Sequence, residues 1–380
     1  MARRVVIVGP AYPLRGGGMA TFNERLAYAF QEAGDEVEII TFSLQYPSFL
    51  FPGKSQYSEE PAPAGLHIRV LVNSINPLSW WRAGNYIRRQ RPDLVVFRFW
   101  LPFMGPALGT IARIIRRNKY SKVLAITDNV VPHEKRPGDA SFTRYFLSAC
   151  QGFITMSRAV QQDLQRFEPD KPALYLPHPL YDNFGPPESK ADACAALSLD
   201  TKYNYLLFFG FIRAYKGLDL LLQAMADTRL AQRPDIKLIV AGEFYEDAAP
   251  YHKLIKELQL QERLVLRTDF IPNAEVRHYF CAASLVVQPY KHATQSGVTQ
   301  IAYHFDKPMV VTDVGGLAEL VPNGEVGYVV APEPTAIATA ILNFYTSDKG
   351  LSFSQHIHTY KKRFSWHHFV QAVWKLAEKV

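Results

Sequence analysis

Short, β-rich apolar runs alternate with helix-length amphipathic stretches along the whole chain, and this alternation leaves few possible folds. The first half carries Val5–Val8, Val37–Phe42, Leu94–Phe97, Val123–Thr127, Phe153–Thr155 and Ala173–Leu176. The second half repeats the scheme with Tyr205–Gly210, Ile236–Ala241, Leu264–Leu266, Leu285–Val287, Pro308–Thr312 and Gly327–Val330. Near-continuous apolar strands separated by helices imply parallel sheets covered on both faces. Six strands per half imply an α/β chain of two tandem doubly wound, Rossmann-like domains with a cleft between them. A length of 380 residues, too much for one ordinary core, agrees. The expected joint is the stretch 182–203, where Gly185-Pro186-Pro187 breaks the pattern. The expected domains are therefore 1–185 and 186–364. A closing stripe of Trp366, Phe369, Val370, Val373, Trp374 and Leu376 forms a core-packing helix within 365–380.

Composition narrows the class further. A 48% hydrophobic chain with 20% charged residues can bury a core, so disorder is excluded over most of its length. No apolar run reaches the roughly 18 residues of a membrane span. The N-terminus passes from Arg3-Arg4 straight into Val5–Val8, which is too short for a signal peptide. Three widely spaced cysteines, Cys150, Cys194 and Cys281, fit no metal-ligand pattern, and a reducing cytoplasm is the expected location.

The net charge of +7 is uneven. Residues 1–185 hold 22 Lys/Arg against 15 Asp/Glu, whereas residues 186–380 balance at 20 against 20. Residues 82–122 carry ten basic residues and a single acid, Asp93, with Trp80, Trp81, Tyr86 and Ile87 close by or interleaved. A solvated face and an anionic membrane surface both fit that density. No nucleic-acid recognition motif accompanies it, so nucleic acid is not an expected partner.

In open α/β sheets ligands bind beyond the carboxyl ends of the strands, so the loops there hold the candidate chemistry. After strand one, Gly16-Gly17-Gly18 would let backbone N–H groups approach an anion at a helix start, and a flexible turn fits equally. After Tyr205–Gly210, Arg213 and Lys216 stand at a helix start, where cations are unfavourable unless an anion compensates. A phosphate would do so, with Arg213 as a planar fork and Lys216 as a point charge. After Leu285–Val287, Gln295-Ser296-Gly297-Val298 opens a helix, and no acid occurs between Glu275 and Asp306. Thr312-Asp313-Val314-Gly315-Gly316 leads into a helical turn with Glu319, which dipole stabilisation and ligand binding fit equally. Residues 126–136 crowd Asp128, Asn129, His133, Glu134, Lys135 and Arg136 into one loop. A D-x-D carboxylate pair for a metal-bound diphosphate is absent from the sequence.

These elements, in this order, resemble the retaining nucleotide-sugar glycosyltransferases of family 4, with the GT-B fold, over essentially the whole chain. The segment VVTDVGGLAELV at 310–321 is the most specific match, to V-x-T-x-x-G-G-x-x-E-x-V. Residues 209–217 are similar to the G-x-x-x-x-x-K-G element that grips the donor diphosphate. Phe364-Ser365-Trp366 is similar to the family ending, whose last helix crosses back to the first domain. The resemblance implies that Gly17, Gly18, Arg213, Lys216, Ser296, Gly297 and Val298 bind the diphosphate, with no metal or other cofactor. It places Gln300, Glu319, Gly242 and Glu243 on the ribose and base side, and Asn129, His133 and Glu134 in the acceptor or sugar-side loop. Asp128, standing for the family's histidine, joins Arg213 and Lys216 as the catalytic set. Three departures are visible. Phe211 occupies the arginine position next to the glycine, so Arg213 takes that place. The E-x7-E glutamates are missing, with Gln300 replacing one, and Asp128 replaces histidine.

The implied reaction is retaining transfer of a sugar from a nucleotide diphosphate to a hydroxyl of a glycan or lipid-linked acceptor, in cell-surface polysaccharide or glycoconjugate synthesis. The basic stretch 82–122 would dock it peripherally on anionic lipid at the inner face of the membrane. Two alternatives stay open: a nucleotide-sugar epimerase using His133 and Glu134, and a catalytically weak sugar-binding partner subunit.

Overall fold

The computed structural model describes residues 2–15, 18–47, 56–58, 61–132, 136–293, 296–347 and 349–380. The chain divides into two compact units, Met1–Pro179 with Phe364–Val380, and Leu180–Arg363. The division falls at 179/180 rather than at 185/186, because the linker residues already belong to the second unit. There the Gly185 carbonyl accepts a hydrogen bond from His304 Nε2 at 2.8 Å.

In the first unit the strands are β1 (Arg4–Val8), β2 (Glu36–Leu44), β3 (His67–Asn73), β4 (Leu94–Phe99), β5 (Lys122–Thr127), β6 (Gly152–Thr155) and β7 (Ala173–Tyr175). They pair in parallel in the order β3-β2-β1-β4-β5-β6-β7. The second unit has β8 (Asn204–Phe209), β9 (Ile236–Ala241), β10 (Leu264–Arg267), β11 (Ala283–Gln288), β12 (Met309–Thr312) and β13 (Gly327–Val330). Their order is β10-β9-β8-β11-β12-β13, again parallel throughout. Each unit is thus a doubly wound α/β sheet.

The first sheet has seven strands where six were expected. β3 lacks the continuous apolar signature because it is an edge strand, and His67, Arg69 and Val70 are exposed. A strand with one covered face does not need the apolar run that an interior parallel strand needs.

The last helix, Trp366–Ala377, belongs to the first unit and lies against the helix Gly18–Glu32. Its start is set by Ser365, whose hydroxyl accepts the His368 N–H at 3.3 Å. Phe22 meets Trp366 and Phe369 at centroid distances of 5.1 and 5.9 Å, and Phe30 meets Trp374 at 6.2 Å. Burying each such ring stabilises the fold by roughly 1.5–3 kcal/mol.

The basic stretch does not form one uniform surface. Arg98 is buried inside β4, and Lys122 donates to the Val380 carbonyl oxygen. Arg113 donates to the Gly109 carbonyl and the Ser148 hydroxyl. Arg82, Arg89, Arg91, Arg116, Arg117 and Lys119 remain exposed. Among the described residues no helix is long and apolar enough to cross a membrane. Cys150, Cys194 and Cys281 are buried free thiols.

Candidate functional site

In the second unit β8 is flanked by β9 on one side and β11 on the other, so the chain reverses its winding at β8 and β11. The carboxyl ends of these strands carry the loops that the sequence singled out. Two glycines let those loops close on one another. Gly217 has φ +68°, and a Cβ there would lie 1.9 Å from the Pro289 carbonyl oxygen. Gly242 has φ +142°, and its Cβ would meet the Gly210 carbonyl oxygen at 2.3 Å. The loops after β8, β9 and β11 are therefore pressed backbone to backbone, at positions where only glycine fits.

Lys216 ends a 3-10 turn, Ala214–Lys216, that precedes the helix Leu218–Met225. The two cations thus flank a tight turn rather than opening the helix, whose first turn holds Asp219. That carboxylate pairs with Lys291 at 2.7 Å. Lys216 is only 9% exposed, and burial first, then the nearby Arg213 charge, pull its pKa down to about 7. Among the described residues neither Lys216 nor Arg213 makes a side-chain hydrogen bond or ion pair. Their neighbours are aromatic: Lys216 Nζ lies 5.8 Å from the Tyr290 ring centre, and the Arg213 guanidinium 5.1 Å from that of Tyr245.

Ser296 and the helix Gly297–His304 face the same turn. The point where a Cβ of Gly210 would sit is 3.0 Å from Lys216 Nζ and 3.9 Å from Val298 Cγ2. A Cβ on Gly297 would meet the Tyr181 ring at 2.7 Å, so glycine is what lets that ring pack against the helix start. The Ser296 side chain makes no capping bond; its hydroxyl lies 3.3 Å from the Tyr290 hydroxyl. Thr312 Oγ1 donates to the Tyr290 carbonyl at 2.5 Å and ties the end of β12 to this loop. Lys216, Ser296, Gly297 and Val298 are thus brought together, with Arg213 close to Lys216.

The other expected residues are less central. Gln300 is fully buried, and neither of its polar atoms has a hydrogen-bond partner among the described residues. The carbonyl of Glu243 accepts the Ile212 N–H at 2.8 Å. Glu319 is exposed, in a 3-10 turn over Ala318–Leu320, too short for the helix dipole invoked for it.

In the first unit Asp128 does not stand as a free carboxylate. Arg98 Nε and Nη2 donate to its two oxygens at 2.5 and 2.6 Å, with both side chains buried. The Arg98 guanidinium lies 4.0 Å from the Phe22 ring centre, and its Nη1 has no hydrogen-bond partner among the described residues. Asn129 follows, half-buried, with no hydrogen-bond partner for Oδ1 among the described residues. Gly18 opens the helix Gly18–Glu32, while Gly17, His133 and Glu134 lie outside the described residues. Arg98, Tyr245 and Tyr290 escaped sequence reasoning. Arg98 alone left a signal, a charge at the end of the apolar run Leu94–Phe97.

Both halves of this architecture match known families. Residues 16–174 match "Glycosyltransferase Family 4" and residues 203–347 match "Glycosyl transferases group 1". The chain belongs to this glycosyltransferase family. A lipopolysaccharide core biosynthesis mannosyltransferase, LpsB of Rhizobium meliloti, is 32% identical over 154 residues, 40% of this chain and 43% of that protein. The chain therefore spans less than half the length of that relative. Among solved structures, sucrose-phosphate synthase of Thermosynechococcus elongatus aligns with a TM-score of 0.72 at 18% identity, over 99% of each chain. HepE of Anabaena, solved with UDP, aligns with a TM-score of 0.71 at 15% identity over 100% of both chains. The fold of the chain is thus GT-B, two Rossmann-like α/β units in tandem.

Proposed function

We propose that this glycosyltransferase moves a sugar from a nucleoside diphosphate to an acceptor hydroxyl with retention of configuration. The observation that carries the reading is the pair Arg213 and Lys216. Among the described residues these are two cations without a carboxylate partner, at the carboxyl end of β8 and beside the start of the helix Gly297–His304. A diphosphate would relieve their mutual repulsion and accept their unused N–H groups. As the glycosidic bond breaks, charge grows on the leaving diphosphate, and donors already in place lower that barrier. Each could contribute roughly 2–4 kcal/mol. Retention follows from the family resemblance: the leaving phosphate takes the acceptor's proton on the face it departs from. Asp128 is spent on Arg98, so the leaving-group work falls to Arg213, Lys216 and the N–H groups at 296–298.

UDP, which HepE holds, is the first nucleotide to test, and the likeness to LpsB favours a cell-surface glycan or lipid-linked acceptor. We place the acceptor at an anionic membrane, approached through residues 82–122. Just ahead of that stretch in the chain, Ile75, Leu78 and Trp81 are 54, 68 and 58% exposed. Positive charge with exposed apolar side chains suits a peripheral lipid surface. Buried free cysteines fit the reducing cytoplasmic side.

Turnover against a panel of nucleotide sugars and acceptors tests the reaction. Lys216→Ala is expected to lower it by well over tenfold, and a loss below threefold refutes the diphosphate assignment. Co-sedimentation with vesicles tests docking. Binding that ignores anionic lipid, or survives neutralising Arg82 and Arg89, counts against it.

A further inference from the structure

Two like charges held near each other in one tight turn need something to hold them there, and an aromatic ring lies against Arg213. Its guanidinium lies 5.1 Å from the centre of the Tyr245 ring. Tyr245 is itself fixed: its ring stacks on Phe211 at 4.2 Å and 30°, and its backbone N–H donates to the Ile212 carbonyl at 3.1 Å. The loop after β9 is thereby zipped to the loop after β8, with the Ile212 N–H returning to the Glu243 carbonyl at 2.8 Å. The next residue, Glu246, turns its carboxylate to the Ala214 N–H at 2.8 Å.

We infer that Tyr245 is the positioning residue for Arg213, aiming its guanidinium at the donor diphosphate from the face of an aromatic ring. The choice of ring has a physical reason. A carboxylate would hold the guanidinium more firmly but would cancel the charge the diphosphate needs. The ring quadrupole attracts the cation without neutralising it and leaves its N–H fork unspent. Phe211 has a role in the same device. It occupies the position next to Gly210 where the family carries arginine, and it serves as the plate on which Tyr245 stacks. Arg213 stands two residues beyond Phe211, and the aromatic pair keeps it at the turn.

The inference rests on the donor reading above, and binding measurements separate the two. UDP, GDP, ADP and inorganic pyrophosphate are titrated calorimetrically into the full chain and its variants. Tyr245→Phe, which keeps the ring, is expected to stay within about twofold of the unmodified protein. Tyr245→Met is expected to weaken binding about tenfold, the scale of one partly desolvated cation–ring interaction. In an Arg213→Ala background the same Tyr245→Met change is expected to cost nothing further, because the residue acts through the arginine. Phe211→Leu, a second route to the same loosening, is expected to show the same dependence on Arg213. Thermal unfolding of each variant identifies any that lose the fold. If Tyr245→Met binds normally, or loses equally with and without Arg213, the inference is overturned while the donor site stands. If the unmodified protein binds none of the four probes, the donor reading falls and the inference with it.

Discussion

The guanidinium of Arg98 holds both carboxylate oxygens of Asp128 in the interior of the first unit, at 2.5 and 2.6 Å. A buried pair of this kind is costly to break and cheap to replace, because the danger lies in stranding one charge. Arg98→Met is therefore expected to destabilise the protein by about 3–5 kcal/mol, read as a fall in the urea midpoint. The double variant Arg98→Met with Asp128→Leu is expected to recover most of that loss. Equal destabilisation by the single and double changes would show that the pair's geometry, rather than its charge balance, matters.

Lys216 gives the donor site a pH dependence of known sign. With its pKa near 7 in the folded chain, the amine is charged below that pH and neutral above it. Nucleoside diphosphate affinity is expected to fall as pH rises from 7 to 9, by up to about tenfold per unit. The phosphates are already ionised over that range. Stability of the ligand-free protein runs the other way. Between about 7 and 10.5 the unfolded chain keeps a proton that the folded chain has released, so stability rises with pH. Lys216→Met is expected to flatten both slopes. An affinity independent of pH from 7 to 9 would contradict the buried placement of the amine.

The glycines separate packing from binding. Gly217→Ala drives a methyl to within 1.9 Å of the Pro289 carbonyl oxygen, in a backbone conformation that disfavours side chains. It is expected to cost more than about 2 kcal/mol and to abolish diphosphate binding. A Cβ on Gly18 meets nothing within 4 Å. Gly18→Ala should therefore leave thermal unfolding within a degree or two, so any loss of donor affinity in it reports on binding alone.

Much of this was legible in the sequence, for physical reasons. Interior parallel strands are apolar on both faces, so β1, β4, β8 and β9 stood out as continuous runs. The edge strand β3 did not, because half of its surface stays wet. Glycine and lysine marked the Lys216 turn, since close backbone approach and an anion leave few substitutes. Tyr245 and Tyr290 were invisible. An aromatic residue in a loop reads as packing until the structure shows a cation over its face, and that pairing crosses 32 positions for Arg213 and 74 for Lys216. Asp128 was legible as a residue but not as half of a pair. Its partner is 30 positions away, one residue past the apolar run assigned to that strand.

The terminal helix offers a test of how the first unit is completed. Trp374 Nε1 donates to Asp35 Oδ2 at 2.9 Å, while the Arg3 guanidinium lies over the same ring at 3.8 Å and donates from Nε to Asp35 Oδ1 at 3.1 Å. Removing the indole leaves a cavity beside Phe30 and strips a buried carboxylate of a donor. Trp374→Ala is expected to cost about 3–5 kcal/mol. Trp374→Phe keeps most of the volume but not the N–H, and is expected to cost about 1–3 kcal/mol. Hydrogen exchange should localise the loss. Amides of the helix Gly18–Glu32 and of β1 are expected to exchange faster in Trp374→Ala, with those of β8–β13 unchanged. Faster exchange in the second unit alone would show that the helix stabilises the wrong half for this account.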